Sequence, residues 1–69
     1  MEKVYKVIDV VGCSPKSIEE AIQSAITEAN KTLKGLAWFE VKEIRGGMKD
    51  GKFAEYQVRV RIGFRLIDE

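Results

Sequence analysis

Residues 54–66, AEYQVRVRIGFRL, alternate more cleanly than any other part of the chain. Ala54, Tyr56, Val58, Val60, Ile62, Phe64 and Leu66 fall on one side of an extended strand. Glu55, Gln57, Arg59, Arg61, Gly63 and Arg65 fall on the other. A period of two argues for a sheet with one apolar and one polar face. The rest of the chain has to supply partners for this strand and a cover for its apolar side.

The cover is legible upstream in SPKSIEEAIQSAITEANKTLKG. Ile18, Ala21, Ile22, Ala25, Ile26, Ala29 and Leu33 recur at steps of three and four, which makes one apolar stripe on a helix. Ser14 before Pro15 reads as an N-cap followed by a favoured first helical residue, and Ser17 with Glu20 offers a capping box one turn later. Gly35 supplies the stop, with Lys31 and Lys34 at the negative end of the dipole. The alanines in the stripe let a sheet approach closely.

Two further segments read as strands. KVYKVIDVVG, residues 3–12, has Val4, Ile8 and Val10 on one face and Tyr5, Val7 and Val11 on the other. In GLAWFEVKEIRG, residues 35–46, Ala37, Phe39 and Val41 share a face, and Trp38, Glu40 and Lys42 share the opposite one. Arg45 falls on the Phe39 side unless a bulge turns it. Asp50-Gly51 is a strong two-residue hairpin signal. The order is therefore β-α-β-β. A fully antiparallel sheet puts the last strand in the middle, in order 1-3-2, with the helix on its apolar face: an α+β unit. With Asp50 and Gly51 as the turn, Trp38 opposes Gly63, Glu40 opposes Arg61 and Ile44 opposes Gln57. A bulge at Gly46-Gly47 would shift this register.

One helix cannot cover both faces of a sheet. Trp38 shares the uncovered face with Gln57, Arg59, Arg61 and Arg65, so that face is either solvated or closed by other copies of the chain. Size favours other copies. At 69 residues the chain is expected to form one domain, residues 1–69. Domains below roughly 70–80 residues usually need reinforcement beyond a single core. Cys13 is the only cysteine and histidine is absent, so neither an intrachain disulfide nor a Cys/His zinc site can provide it. Cys13 reads as a small structural residue at the junction of strand and helix.

The same composition bounds the function. Twelve basic and eleven acidic residues leave a net charge of +1, which does not fit binding to nucleic acid driven by bulk charge. No signal-like or membrane-length apolar run is present, and a free thiol fits a reducing compartment, so a cytoplasmic protein is expected. Catalysis is poorly supported: no phosphate loop, dinucleotide turn or nucleophile elbow appears. The side chains that stand out are those of the uncovered face. Trp38 either packs over Gly63 or at a subunit interface, or it is a stacking platform for a flat ligand, with Gln57 offering donors and an acceptor to a heterocycle. Arg59, Arg61 and Arg65 form either a phosphate-binding row or cross-strand salt bridges with Glu40, Glu55 and their neighbours. Arg45 either stacks on a ligand ring or is solvated. A module that stacks single-stranded bases, and a ligand-free structural oligomer, are the alternatives from other classes.

VYKVIDVVG, a Ser-started helix, WFEVKEIRG and EYQVRVRIGFRL follow one another in this order across nearly the whole chain. In this combination the chain resembles the dodecins, small flavin-binding proteins. The resemblance implies the same β-α-β-β unit, assembled as a hollow dodecamer with helices outside and sheets inward. It implies paired flavins at two-fold axes between tryptophans of neighbouring subunits, with no turnover. At matching positions Trp38 would stack on the isoalloxazine, Gln57 would hydrogen-bond its polar edge and Arg45 would lie beside it. Arginine at position 45 looks bacterial, which favours FMN over riboflavin; FAD is the other flavin the resemblance allows. Some bacterial relatives also bind coenzyme A, whose phosphates Arg65 would hold. The implied role is storage, buffering and photoprotection of flavin. Cys13 would have no part in binding.

Overall fold

The computed structural model describes residues 3–66; the ends of the predicted unit, residues 1–2 and 67–69, lie outside them. The elements are β1 (Tyr5–Ser14), α1 (Ile18–Thr32), β2 (Leu36–Lys49) and β3 (Lys52–Arg65). They form one antiparallel sheet in the order β1-β3-β2, as the alternation of β3 requires. No helix among the described residues is long and apolar enough to cross a membrane.

Packing follows the helical stripe. Ala21, Ala25 and Ala29 are buried against Val58, Val60 and Ile62 of β3, with Ile8, Val10, Ile18, Ile22, Ile26, Leu33 and Leu36 around them. The small residues bring α1 so close that a β-carbon on Gly12 would overlap the backbone carbonyl oxygen of Ala21. The helix starts later than Ser14-Pro15 suggests. Its N-cap is Ser17, whose hydroxyl accepts from the Glu20 amide at 3.0 Å. Ser14 instead ends β1, where its buried hydroxyl accepts from the amides of Lys16 and Ser17 and donates to a Glu20 carboxylate oxygen at 3.1 Å. It holds the connection into the helix. Gly35 turns the chain into β2 with a φ of +76°, which a side chain would disfavour.

Asp50 and Gly51 both have positive φ, 54° and 75°, as a two-residue hairpin turn of this hand requires. The register beyond the turn is not the simple one. Trp38 opposes Gly63 and Glu40 opposes Arg61, but Ile44 opposes Val58, and Arg45 opposes Gln57. Two bulges cause this. Ala54 is an extra residue on β3 near the turn, between the pairs Gly47–Glu55 and Met48–Phe53, and Lys42 is an extra residue on β2 between Val41–Val60 and Glu43–Arg59. The Lys42 bulge reverses the alternation of β2, so Arg45 lies on the Trp38 face and not on the Phe39 face.

The helix covers less than the sequence suggests. Fifteen residues of α-helix span about 22 Å, whereas a fourteen-residue strand spans about 46 Å. Helix α1 lies over β1 and β3. Phe39, Val41 and Ile44 of β2, with Met48 and Phe53 near the turn, remain exposed. The unit thus has one open polar face and one open apolar strip.

Candidate functional site

Inter-strand pairing fixes the open face row by row. Trp38, Gly63 and Val7 form one row. Glu40, Arg61 and Asp9 form the next, then Glu43, Arg59 and Val11. Arg45, Gln57 and Cys13 follow, and Gly47 with Glu55 closes the series.

Trp38 sits directly over Gly63. A β-carbon on Gly63 would overlap the indole, with Cη2 only 2.7 Å away. This seat leaves Trp38 42% exposed. Packing on glycine and availability to a ligand are therefore not alternatives here: the glycine holds the ring low against the sheet, and the ring still faces outward.

The middle rows are an ion-pair band. Arg61 Nε donates to Asp9 Oδ1 at 3.0 Å, Arg59 Nη1 lies 3.6 Å from Asp9 Oδ2, and Arg59 Nε lies 3.8 Å from Glu43. The hydrogen bond from Arg61 holds the Asp9 carboxyl below its usual range, assisted by the nearby charges of Arg61, Arg59 and Lys42. Arg59 and Arg61 thus follow the salt-bridge reading, with Asp9 as their main partner. Glu40 and Glu55 had been expected in that role. Asp9 was findable: it is the one charged residue between Val7 and Val11 on that face of β1.

At the far end, Arg45 Nε donates to Gln57 Oε1 at 2.8 Å and Gln57 Nε2 donates to Glu55 Oε2 at 2.9 Å. Arg45 Nη1 also reaches Glu43 at 3.5 Å. Cys13 is exposed and pairs with Gln57 across the strands, so it lies within this cluster and not in the core. Partial desolvation, followed by the Glu55 carboxylate, pushes its thiol pKa up.

Arg65 lies past Trp38 at the opposite end. Its guanidinium carbon is 5.9 Å from the centre of the Tyr5 ring, and its hydrogen bond lowers the Tyr5 hydroxyl pKa. Together with Lys34, Gly35 and Leu36 these residues line an open groove of about 500 Å³. The four residues singled out in the sequence therefore form two groups, Trp38 near Arg65 and Gln57 bonded to Arg45. Gly63 and Gln57 are six residues apart on β3, about 20 Å along the strand. One planar ring cannot touch Trp38 and Gln57 of the same subunit. Among the described residues no cluster of three or more Cys, Asp or Glu is placed to hold a metal ion.

Residues 4–67 match the Dodecin family model. The chain is 53% identical over 66 residues to the dodecin of Thermus thermophilus, covering 96% of each protein. A solved structure of dodecin from Streptomyces davaonensis superposes with a TM-score of 0.90 at 44% identity, covering 99% of this chain and 100% of that one. A more distant relative, the calcium dodecin of Mycobacterium tuberculosis, is 29% identical over 63 residues, covering 91% of this chain and 89% of that protein. With the sheet, the Trp38 end and the Gln57 end all inside the matched span, the chain belongs to the dodecin family.

Proposed function

We propose that this protein sequesters FMN between subunits of a dodecamer, storing and shielding the flavin without turning it over. Dodecins are small non-enzymatic, flavin-binding proteins, typically dodecameric. The observation that carries the reading for this chain is Trp38, seated over Gly63 and still 42% exposed on a face that no element of the fold covers. An indole so placed offers a flat apolar surface to a flat ring. Stacked indole is also an electron donor that quenches an excited flavin, which suits photoprotection. Gln57 and Arg45 lie too far along β3 to meet the ring held by their own Trp38. They serve a ring held by another copy, so the site is complete only in the oligomer.

The apolar strip of Phe39, Val41, Ile44 and Phe53 supports that assembly, because exposed apolar surface of this kind marks contact with a partner. Arg65, Lys34 and Tyr5 offer cationic and hydroxyl groups for the phosphates of coenzyme A. A cytoplasmic location fits the free thiol. Base stacking by a nucleic-acid module is disfavoured: Arg59 and Arg61 are engaged with Asp9 and Glu43 and do not form a phosphate track.

Titration of FMN fluorescence with size-exclusion chromatography tests the reading. The protein should elute as a large oligomer and quench FMN. Trp38→Ala should weaken binding about tenfold or more with the oligomer intact, as loss of one stacking partner implies. A monomer that leaves flavin fluorescence unchanged would refute it. Dissociation of the oligomer by Trp38→Ala would assign Trp38 to subunit packing. Stronger quenching of riboflavin or FAD would change the ligand.

A further inference from the structure

Gln57 is held at both ends of its amide. Arg45 carries only donors, so it fixes the carbonyl oxygen on its side. Ionised Glu55 only accepts, so it fixes the amide nitrogen on its own side. Only one of the two amide orientations satisfies both neighbours. Each neighbour uses half the capacity of the atom it touches, which leaves one N–H and one carbonyl lone pair in a fixed order. A second observation points the same way. A β-carbon on Gly47 would lie 2.8 Å from Gln57 Nε2 and 3.1 Å from Glu55 Cγ. The backbone dihedrals of Gly47 do not themselves demand glycine, since its φ is not positive. Its missing side chain makes room for the Gln57–Glu55 pair.

We propose that Glu55 is a positioning residue for the flavin: as the second anchor beside Arg45 it holds the order in which Gln57 presents donor and acceptor, with Gly47 providing the space. This rests on the flavin reading above. The polar edge of an isoalloxazine places the N3–H donor beside carbonyl acceptors, so an amide of fixed order can read that edge. Without Glu55 the amide keeps only the Arg45 contact, so it swings about that one bond and presents the matching order to the ring edge less of the time.

The test compares binding of FMN and of FMN methylated at N3, by fluorescence quenching, in the wild type, Glu55→Leu and Gly47→Ala. The wild type should bind FMN about fivefold more tightly than the methylated ligand, as expected for one neutral hydrogen bond. Both variants should lower that ratio by about twofold, with Arg45 still holding the carbonyl end. A role in folding alone would weaken both ligands in parallel and leave the ratio unchanged. Gly47→Ala keeps the test open if Glu55→Leu fails to fold, because only side-chain atoms of Gln57 and Glu55, and no backbone, oppose the added methyl. A wild type that binds both ligands equally, or variants that discriminate as the wild type does, would overturn the inference alone. A wild type that quenches neither flavin would overturn the flavin reading and the inference with it.

Discussion

Gly63→Ala separates stability from binding, because the two should move apart. A methyl at position 63 overlaps the Trp38 indole, so the ring has to lift from its seat. Trp38 is 42% exposed, and a large aromatic buries roughly 150–250 Å² when covered. At about 25 cal/mol per Å², the covered part contributes about 3 kcal/mol, and lifting the ring off Gly63 forfeits part of that, on the order of 1 kcal/mol. Against that loss, alanine in a strand is favoured over glycine by roughly 0.5–1 kcal/mol. The two nearly cancel, so Tm should change by less than about 5 °C at matched protein concentration. Flavin affinity has no such compensation. Displacing one stacking face costs about 2 kcal/mol, or about thirtyfold in Kd. Trp38 is the sole tryptophan, so its emission reports the displacement directly in the ligand-free protein. Thermal melts, tryptophan emission and FMN titration on one preparation decide the matter. Wild-type affinity with shifted emission would show that the seat over Gly63 does not present the ring to flavin. A fall in Tm beyond about 15 °C, or about 3 kcal/mol, would show that Gly63 matters chiefly to the packing of the sheet.

Gly12→Ala should behave oppositely, because its methyl would meet the backbone of α1, which cannot rotate away. Overpacking of this kind costs about 1–3 kcal/mol, so Tm should fall by about 10 °C with flavin affinity per folded protein preserved; an unchanged Tm would contradict the close helix–sheet approach. Asp9 has its folded pKa lowered, chiefly by the hydrogen bond from Arg61, so its stabilising contribution exists above the ordinary aspartate range and disappears as pH falls through the folded value. Asp9→Asn should therefore melt below the wild type near neutral pH and converge with it in acid. A gap that persists unchanged into acid would mean that the Asp9 carboxylate is not its source.

The elements were legible because each has a dominant local cause. The alternation of β3 fixed its two faces, the alanine-rich stripe of α1 fixed what covers one of them, and Asp50-Gly51 fixed the hairpin. The helix start was less clear because Ser14 and Ser17 both carry capping chemistry. Ser17 is the cap; Ser14 bonds to the connecting amides instead, and both serines are satisfied. The extent of cover over β2 could not be read from periodicity. It depends on where a 22 Å helix lies on a sheet twice its length, and a hydrophobic stripe gives the direction of burial without the position.

The site divides along the same line. Trp38 opposite Gly63 and Glu40 opposite Arg61 follow from counting back from the turn, because the Ala54 and Lys42 bulges offset one another by the time the chain reaches them. Between the bulges the count fails by one residue. That short stretch contains Glu43, Arg45, Gly47, Glu55, Gln57 and Arg59, most of the polar face. Lys42 has no glycine or proline to mark it as the extra residue, and by alternation alone it belongs beside Trp38. The reason for the bulge lies in the side chains that it re-aims. With Lys42 extra, Arg45 turns to the open face and meets Gln57, Glu43 meets Arg59, and Ile44 turns to the helix side. Without the two bulges, Arg45 would lie among Phe39 and Val41, and Ile44 would stand opposite Gln57. The bulge exchanges two mismatched placements for matched ones, so its cause is tertiary, and no local pattern in the strand could have announced it.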